Sequence, residues 1–358
     1  MLDYDLEKGN LMKTDFKSDW DECFQIHEDW WKLADVWQPL LLNRMFRGGQ
    51  HPTTNWEMSA SLHASLSESE LEKLWTDIDS TIDRAENDMA CRIYDGAAIP
   101  YYAPYLGPGT LGLVLGAKPI FTADSVWFEP CFSDISEAHV TFDSSNRWWK
   151  WTLDAAKQAM HRSNSRYLVA FPDIIEGLDC AAALLGTEKL LIAMLEKPSE
   201  VHRLLREISD SWYQAFDQYY AVVSPNNEGN VVAGFEIWGI GKTAMLQSDI
   251  SAMLSPAMFE EFVAPHISEH ASWLDFSLYH LDGPCALQHL DIVCGIDSIN
   301  CIQWVPGDGA PWGHEDCWDA VNAKILDSGK SLWLKMKPEH VSGFVNKFGT
   351  RGVFLRLF

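Results

Sequence analysis

Positive charge is scarce in this sequence. Its 358 residues carry 27 Lys and Arg against 51 Asp and Glu, a formal net charge of −24. A surface that acidic repels phosphate backbones and anionic lipid, so nucleic acid and membranes are not expected partners. A neutral or cationic ligand, or a protein with a basic patch, fits better. No apolar run reaches the roughly twenty residues that span a bilayer. The opening stretch MLDYDLEKGNLMKTDFKSDWDE is polar and acidic, without the basic start and apolar centre of a signal peptide. No CxxC spacing occurs among Cys23, Cys91, Cys131, Cys180, Cys285, Cys294, Cys301 and Cys317. Scattered through a core-forming chain, they read as reduced thiols packed as small hydrophobes, and the expected location is cytoplasmic. No GxGxxG or Walker A run follows an apolar stretch, which argues against an open nucleotide-binding sheet. Repeats and low-complexity linkers are also missing. With 47% hydrophobic and 22% charged residues, disorder is excluded.

Tryptophan is abundant instead, at 17 residues. Trp148, Trp149 and Trp151 fall in a helical pattern and read as packing. Trp238 and Trp304 sit where strands run out into Gly- or Pro-containing turns, where an indole can wall a pocket.

The acidic start to about Trp20 reads as a loosely held arm. A helix is expected over 23–34 and a first strand over 39–46. One helix, capped by Ser67 or Ser69, is expected to run to about Cys91. Strand-like segments follow at 99–106, 125–128 and 167–171. Helices are expected at 110–116, 145–163, 178–185 and 187–195, and a long one from an N-cap at Ser199 to about Val222. The second half alternates more regularly. Strands are expected at 231–237, 276–281, 298–304, 331–336 and 352–357, with helices opening at Ser255-Pro256 and spanning 317–327. About eight strands alternating with helices point to an α/β fold, a (β/α)8 TIM barrel with an N-terminal helical extension. Residues 1–34 form the extension and 35–358 the barrel.

Chemistry in such a barrel sits at the C-terminal strand ends. That rule selects Tyr105, Asp173, Glu236, Trp238, His280, Asp282, Trp304, Asp308 and Met336. Tyr279-His280-Leu281-Asp282 is the most informative stretch. Residues i and i+2 share a strand face, so an imidazole and a carboxylate point the same way. The pair can bind a metal, orient an acid–base histidine, or form a buried pair that supports the fold. Glu236 can be a third ligand, a general base or a salt-bridged barrel residue. Asp173 is a helix N-cap or a pocket acid. His266 and His270 lie i, i+4 on a helix expected outside the barrel, where a solvated face is the better reading. Gly107-Pro108-Gly109-Thr110 reads as plain turn chemistry.

Three runs carry a family resemblance: FPDIIEGLDCAAALLGTEKLL from Phe171, EKPSEVHRLL from Glu196, and DISAMLSPAMFEEFVAPH from Asp249. Together they resemble the uroporphyrinogen decarboxylase superfamily over roughly Asp35 to the C-terminus. The resemblance implies a (β/α)8 barrel with its pocket at the strand ends. One branch, the decarboxylases, uses no metal and binds substrate carboxylates with N-terminal arginines. The other, the corrinoid- or coenzyme M-linked methyltransferases, holds zinc with a His-x-Cys pair and a later cysteine. This chain has Arg44 and Arg47 but no arginine-rich motif, and His280-Leu281-Asp282 stands where His-x-Cys would. It ends at Phe358, just after the last expected strand, so a closing helix and a distal ligand are expected to be missing or supplied elsewhere.

The resulting expectation is metal-assisted methyl transfer involving a small substrate or a corrinoid partner protein. His280, Asp282 and Glu236 would hold a divalent metal, zinc first, with Cys285 as a further candidate. Trp238, Tyr279 and Trp304 would wall the ligand, with Asp173, Tyr105 and Asp308 at the pocket. The alternatives are a metal-free decarboxylase or lyase acting on a small acid, or a non-catalytic barrel that binds a ligand on its tryptophans.

Overall fold

The computed structural model describes residues 16–36, 39–46 and 66–358. Residues 1–15 of the expected arm and Arg47 lie outside these, as does the side chain of Arg44.

Among the described residues, thirteen strands organise the chain. In order they are β1 (Leu40–Phe46), β2 (Arg92–Gly96), β3 (Tyr101–Tyr102), β4 (Lys118–Phe121), β5 (Val126–Glu129), β6 (Leu168–Val169) and β7 (Asn230–Val232). Then come β8 (Ile237–Gly239), β9 (Thr243–Gln247), β10 (Phe276–Asp282), β11 (Cys301–Val305), β12 (Ser331–Met336) and β13 (Val353–Leu357). The main sheet runs β2-β1-β13-β12-β11-β10-β9. All its pairs are parallel except β2, which lies antiparallel against β1. Helices such as Asp319–Asp327 and Pro338–Phe348 make the crossovers that parallel strands require. β3 and β6 form a second parallel pair, and Phe171 bridges to Val232 in the same sense. This is a TIM-like arrangement. Among the described residues the ladders do not close into one ring of eight.

Where the ladder lapses, a side chain takes over. Asn230, fully buried at the start of β7, accepts a hydrogen bond from the Thr243 N–H at 2.7 Å and donates to the Thr243 carbonyl oxygen. One amide side chain thus satisfies both backbone groups at the head of β9.

Several expected elements differ. The strand expected over 231–237 breaks after Val232. Gly234 and Glu236 take left-handed φ values of 77° and 59°, and the chain returns as antiparallel β8, with Val231 opposite Trp238. β9 follows directly and was not expected, because TAMLQ sits behind a Gly-rich turn and lacks a run of β-branched residues. The strand expected over 99–106 shrinks to Tyr101–Tyr102. Pro100 and Pro104 flank it and have no N–H to donate. The helix expected from Ser67 is two helices, Glu68–Thr76 and Ile78–Ala90, parted at Asp77, whose side chain caps the second by accepting from the Ser80 N–H. The long helix is Pro198–Asn227, with Lys197 rather than Ser199 at its N-cap. Its last residue, buried Asn227, pins it to β6 by donating to the Val169 carbonyl at 2.8 Å.

The N-terminal helix Trp20–Trp31 is firmly docked. Trp31 stacks on Phe276 at 4.8 Å and donates to the Trp238 carbonyl, while Trp30 meets Phe354 edge-on at 5.4 Å. Lys17 is also buried and donates to the Gly96 carbonyl at 2.8 Å, so the chain from residue 16 on is not the loose arm expected. These contacts cover the N-terminal end of the sheet face and leave the C-terminal strand ends for chemistry.

The Asn230 bridge is testable. Asn230→Ala orphans two buried backbone groups and should destabilise by about 2–4 kcal/mol in urea titration. Asn230→Leu should be no better, since volume is not what is lost. A cost below about 1 kcal/mol in both would show that these strands are held by something else.

Candidate functional site

β10 alternates cleanly. His280 and Asp282 face one side of the sheet. Tyr279 and Leu281 face the other and are fully buried. Parallel register places Gln247 of β9 and Gln303 of β11 on either side of His280. His280 Nδ1 donates to Gln303 Oε1, which directs the lone pair onto Nε2. That nitrogen is 4.0 Å from Asp249 Oδ1. Ligand atoms of Asp249, His280 and Asp282 all lie within 4.8 Å of one another.

Asp249 opens the turn after β9. Its position is set from two directions. Gln247 Nε2 donates to its Oδ2 at 3.0 Å. Asp179, on the helix Gly177–Leu185, accepts from the Asp249 and Ile250 N–H groups at 2.7 and 3.0 Å. The five-residue strand β9, followed by a turn pinned at Asp249, thereby brings a third donor to His280 and Asp282.

Two more carboxyls stand behind this group, on the loop after Phe171. Burial pushes Asp173 up to about 7, with Asp249 and Asp179 adding repulsion. Burial pushes Glu176 up to about 8, although its own hydrogen bonds partly oppose this. Asp249 is raised to about 6, first by burial and then by Asp179, with His280 pulling the other way. Crowded, half-dry carboxyls with one imidazole among them form a site built for a cation or for proton handling.

His280 opens onto a cavity of about 360 Å³. Tyr105, Phe171, Trp212, Phe235 and Met245 give it an apolar wall, and Asp173, Gln247 and His280 supply polar edges. Phe235 lies edge-on to His280 at 5.6 Å.

No protein-family model matches the sequence, and no curated protein matches it. A solved structure does resemble it. That structure is a methyltransferase from Methanosarcina mazei, 13% identical, with a TM-score of 0.62 over 94% of this chain and 92% of the other. At that identity the likeness is one of fold.

Of the residues selected from sequence, His280 and Asp282 come together as expected, and Tyr105 and Asp173 line the cavity. Glu236 does not join them. It is buried in the β7–β8 turn and ion-paired to Arg356 at 2.6 Å, because the chain reverses before it. Trp238 sits on the return strand, against Phe24 at 4.4 Å, and donates to the Asn227 carbonyl. Trp304 faces away from Gln303 into the helix layer, 5.3 Å from Trp318. Tyr279 shares that outward side. None of the three lines the cavity. Asp308 is exposed in the loop after β11, and Met336 is fully buried on the helix side. Cys285 is exposed and outside the three-residue group. His270 is not solvated as expected. It is buried, stacked on Trp212 at 4.6 Å.

Asp249, Gln247, Gln303, Trp212 and Phe235 were missed. Asp249 was findable, since it follows a strand end by two residues, but only once β9 is recognised. Nothing local marks Trp212, which reaches the cavity from the middle of a long helix.

The raised acids carry a pH signature. Glu176 holds its proton more tightly folded than unfolded, so its contribution is fully present below about pH 4.5 and lost as pH rises through about 8. In chelator-treated buffer, Glu176→Gln should therefore flatten the decline between pH 5 and 8.5. The gain at the alkaline end is on the order of 2–4 kcal/mol by denaturant titration. Parallel wild-type and variant profiles would place the titration elsewhere.

Proposed function

We propose that the chain is a metal-assisted methyl-transfer enzyme, with Asp249, His280 and Asp282 as the protein's ligands. One observation carries this reading: an imidazole nitrogen and two carboxylate oxygens converge within 4.8 Å, and the imidazole lines a largely apolar cavity. The donor set fits a divalent ion. Zinc accepts His and carboxylate ligands, and the two oxygens also suit harder metals. The ligand Asp249 and the nearby Asp173 have their proton affinity raised, which a cation would relieve. When bound, the metal supplies a Lewis acid that lowers the pKa of a coordinated thiol or water.

The chain's own residues do the rest. Gln303 fixes the His280 tautomer and ring plane. Gln247 and Asp179 hold Asp249 in place. Phe171, Trp212 and Phe235 present apolar surface to a methyl-bearing ligand and exclude water. Asp173, with its pKa near 7, can hold a proton at the cavity edge and give it to a leaving group. The fold likeness to a methyltransferase supports the reaction class, and the sequence resemblance suggests a corrinoid protein as the methyl carrier.

A second reading rests on Asp173 alone. A carboxyl pushed up to about 7 by burial, on the same cavity as His280, also suits a metal-free lyase acting on a small acid. Metal content separates the two. Wild-type protein should bind about one equivalent of zinc by calorimetry and elemental analysis. His280→Ala and Asp249→Asn should each weaken binding by about 10–100-fold. Cys285→Ala should leave it unchanged. Stoichiometric zinc retained by His280→Ala would end the metal reading.

A further inference from the structure

The same face of the sheet carries the opposite charge farther along. Trp333 and Phe354 continue the row that begins Gln247, His280, Gln303. Trp333 confirms the side by meeting Phe235, the ring that also meets His280. Two residues on, Lys335 of β12 stands in register with Arg356 of β13. Strand spacing puts these two cations about 5 Å apart at the backbone. Like charges directly opposite on neighbouring strands destabilise a sheet. Here they are also partly desolvated. Burial lowers the basicity of the Lys335 amine, with Arg356 adding to the effect and Glu236 opposing it.

Glu236 accounts for one of the two charges. It is buried at a left-handed φ of 59° with Oε1 2.6 Å from Arg356. Other lysines of this acidic chain find carboxylates: Lys197 with Asp134, Lys242 with Asp217, Lys347 with Asp316 and Asp319. Lys335 makes no ion pair among the described residues, and it is exposed to an incoming ligand.

We propose that Lys335 and Arg356 form a subsite for an anionic group of the substrate, a carboxylate in the first instance. Glu236 holds Arg356 in place, and Lys335 supplies the unmatched charge. The proposal rests on the metal-site reading only for where the reacting end lies. By register Val305 separates Asp282 from Lys335, so the two poles are two strand spacings, about 10 Å, apart at the backbone. The substrate class is then a small molecule with its anion a few bonds from the reacting atom, its apolar part over Phe235 and Trp333.

The test uses the full chain, without added metal, at constant ionic strength, with butyrate replacing chloride. Wild-type protein should show a saturable rise in melting temperature. Lys335→Met should raise the butyrate concentration for half the effect by about tenfold or more, as loss of a charge-assisted bond predicts, and Lys335→Arg should restore most of it. Without butyrate, the melting temperature of Lys335→Met should be unchanged or higher, since a repulsion has been removed. His280→Ala should keep the butyrate response whether or not it loses zinc, which separates this proposal from the metal reading. No saturable response in wild type would overturn the subsite. So would an equal response in Lys335→Met, or a fall in that variant's own melting temperature, which would mark Lys335 as a structural ion-pair residue.

Discussion

Everything at the candidate site depends on parallel register across β9 to β13. Side chains alternate with period two, so a one-residue slip of β10 would send His280 and Asp282 to the helix side and bring Tyr279 and Leu281 inward. Polar locks at the N-terminal strand ends prevent it. The Lys242 N–H donates to Asp275 Oδ2 at 2.8 Å, just before β10. Gly241 must be glycine there, at φ 85°, because a Cβ would come within 2.2 Å of that oxygen. Asn300 accepts from the Ser277 N–H at 2.8 Å and ties β10 to the entry of β11. Lys330, buried before β12, donates to the Ile299 carbonyl at 2.9 Å. Each lock fixes where a strand begins, and counting from there fixes what faces the cavity.

Local electrostatics work against this arrangement. Asp173, Glu176 and Asp249 all have raised proton affinity, and burial is the largest cause in each case. A folding-optimised core would replace such groups with apolar ones of similar volume, often at no loss of stability. Asp179 shows the contrasting solution, a carboxylate with two backbone N–H donors. That the other three are left crowded is a cost in the free protein. It is recovered only when something cationic or protonated occupies the site, by ordinary linkage between binding and folding.

The helices and the strands of the second half were legible in the sequence because their signals are local. Apolar runs bounded by Gly, Pro and Ser-Pro mark β10, β11, β12 and β13 to within a few residues. The His280–Asp282 pair followed from strand period alone. What failed was long-range or depended on chain direction. Glu236 and Trp238 were assigned to one strand face, but a left-handed pair of turn residues folds that segment back on itself. Trp304 lies at the right strand end and on the wrong side, since nothing in CIQWV says which face is inward until Gln303 is seen to meet His280. Seventeen tryptophans also overstated the aromatic wall. Those resolved as ligand-wall candidates proved to be packing, and Trp212 reached the cavity unannounced.

The net charge of −24 invites a stronger conclusion than it supports. Bulk charge governs encounters with extended polyanions, whose many phosphates meet the averaged surface. A small molecule in its final approach responds to groups within about a Debye length, roughly 8 Å at physiological ionic strength. Within that range the sheet face is divided. Asp249 and Asp282 stand at one end and Lys335 and Arg356 at the other, with uncharged Gln303, Val305 and Trp333 between them. Composition therefore argues against nucleic acid but not against a small singly charged acid. The division also gives direction, because a ligand with one anionic end meets attraction at β12–β13 and repulsion at a metal-free β9–β10. In that metal-free state the favoured orientation is the one that brings the uncharged end beside His280.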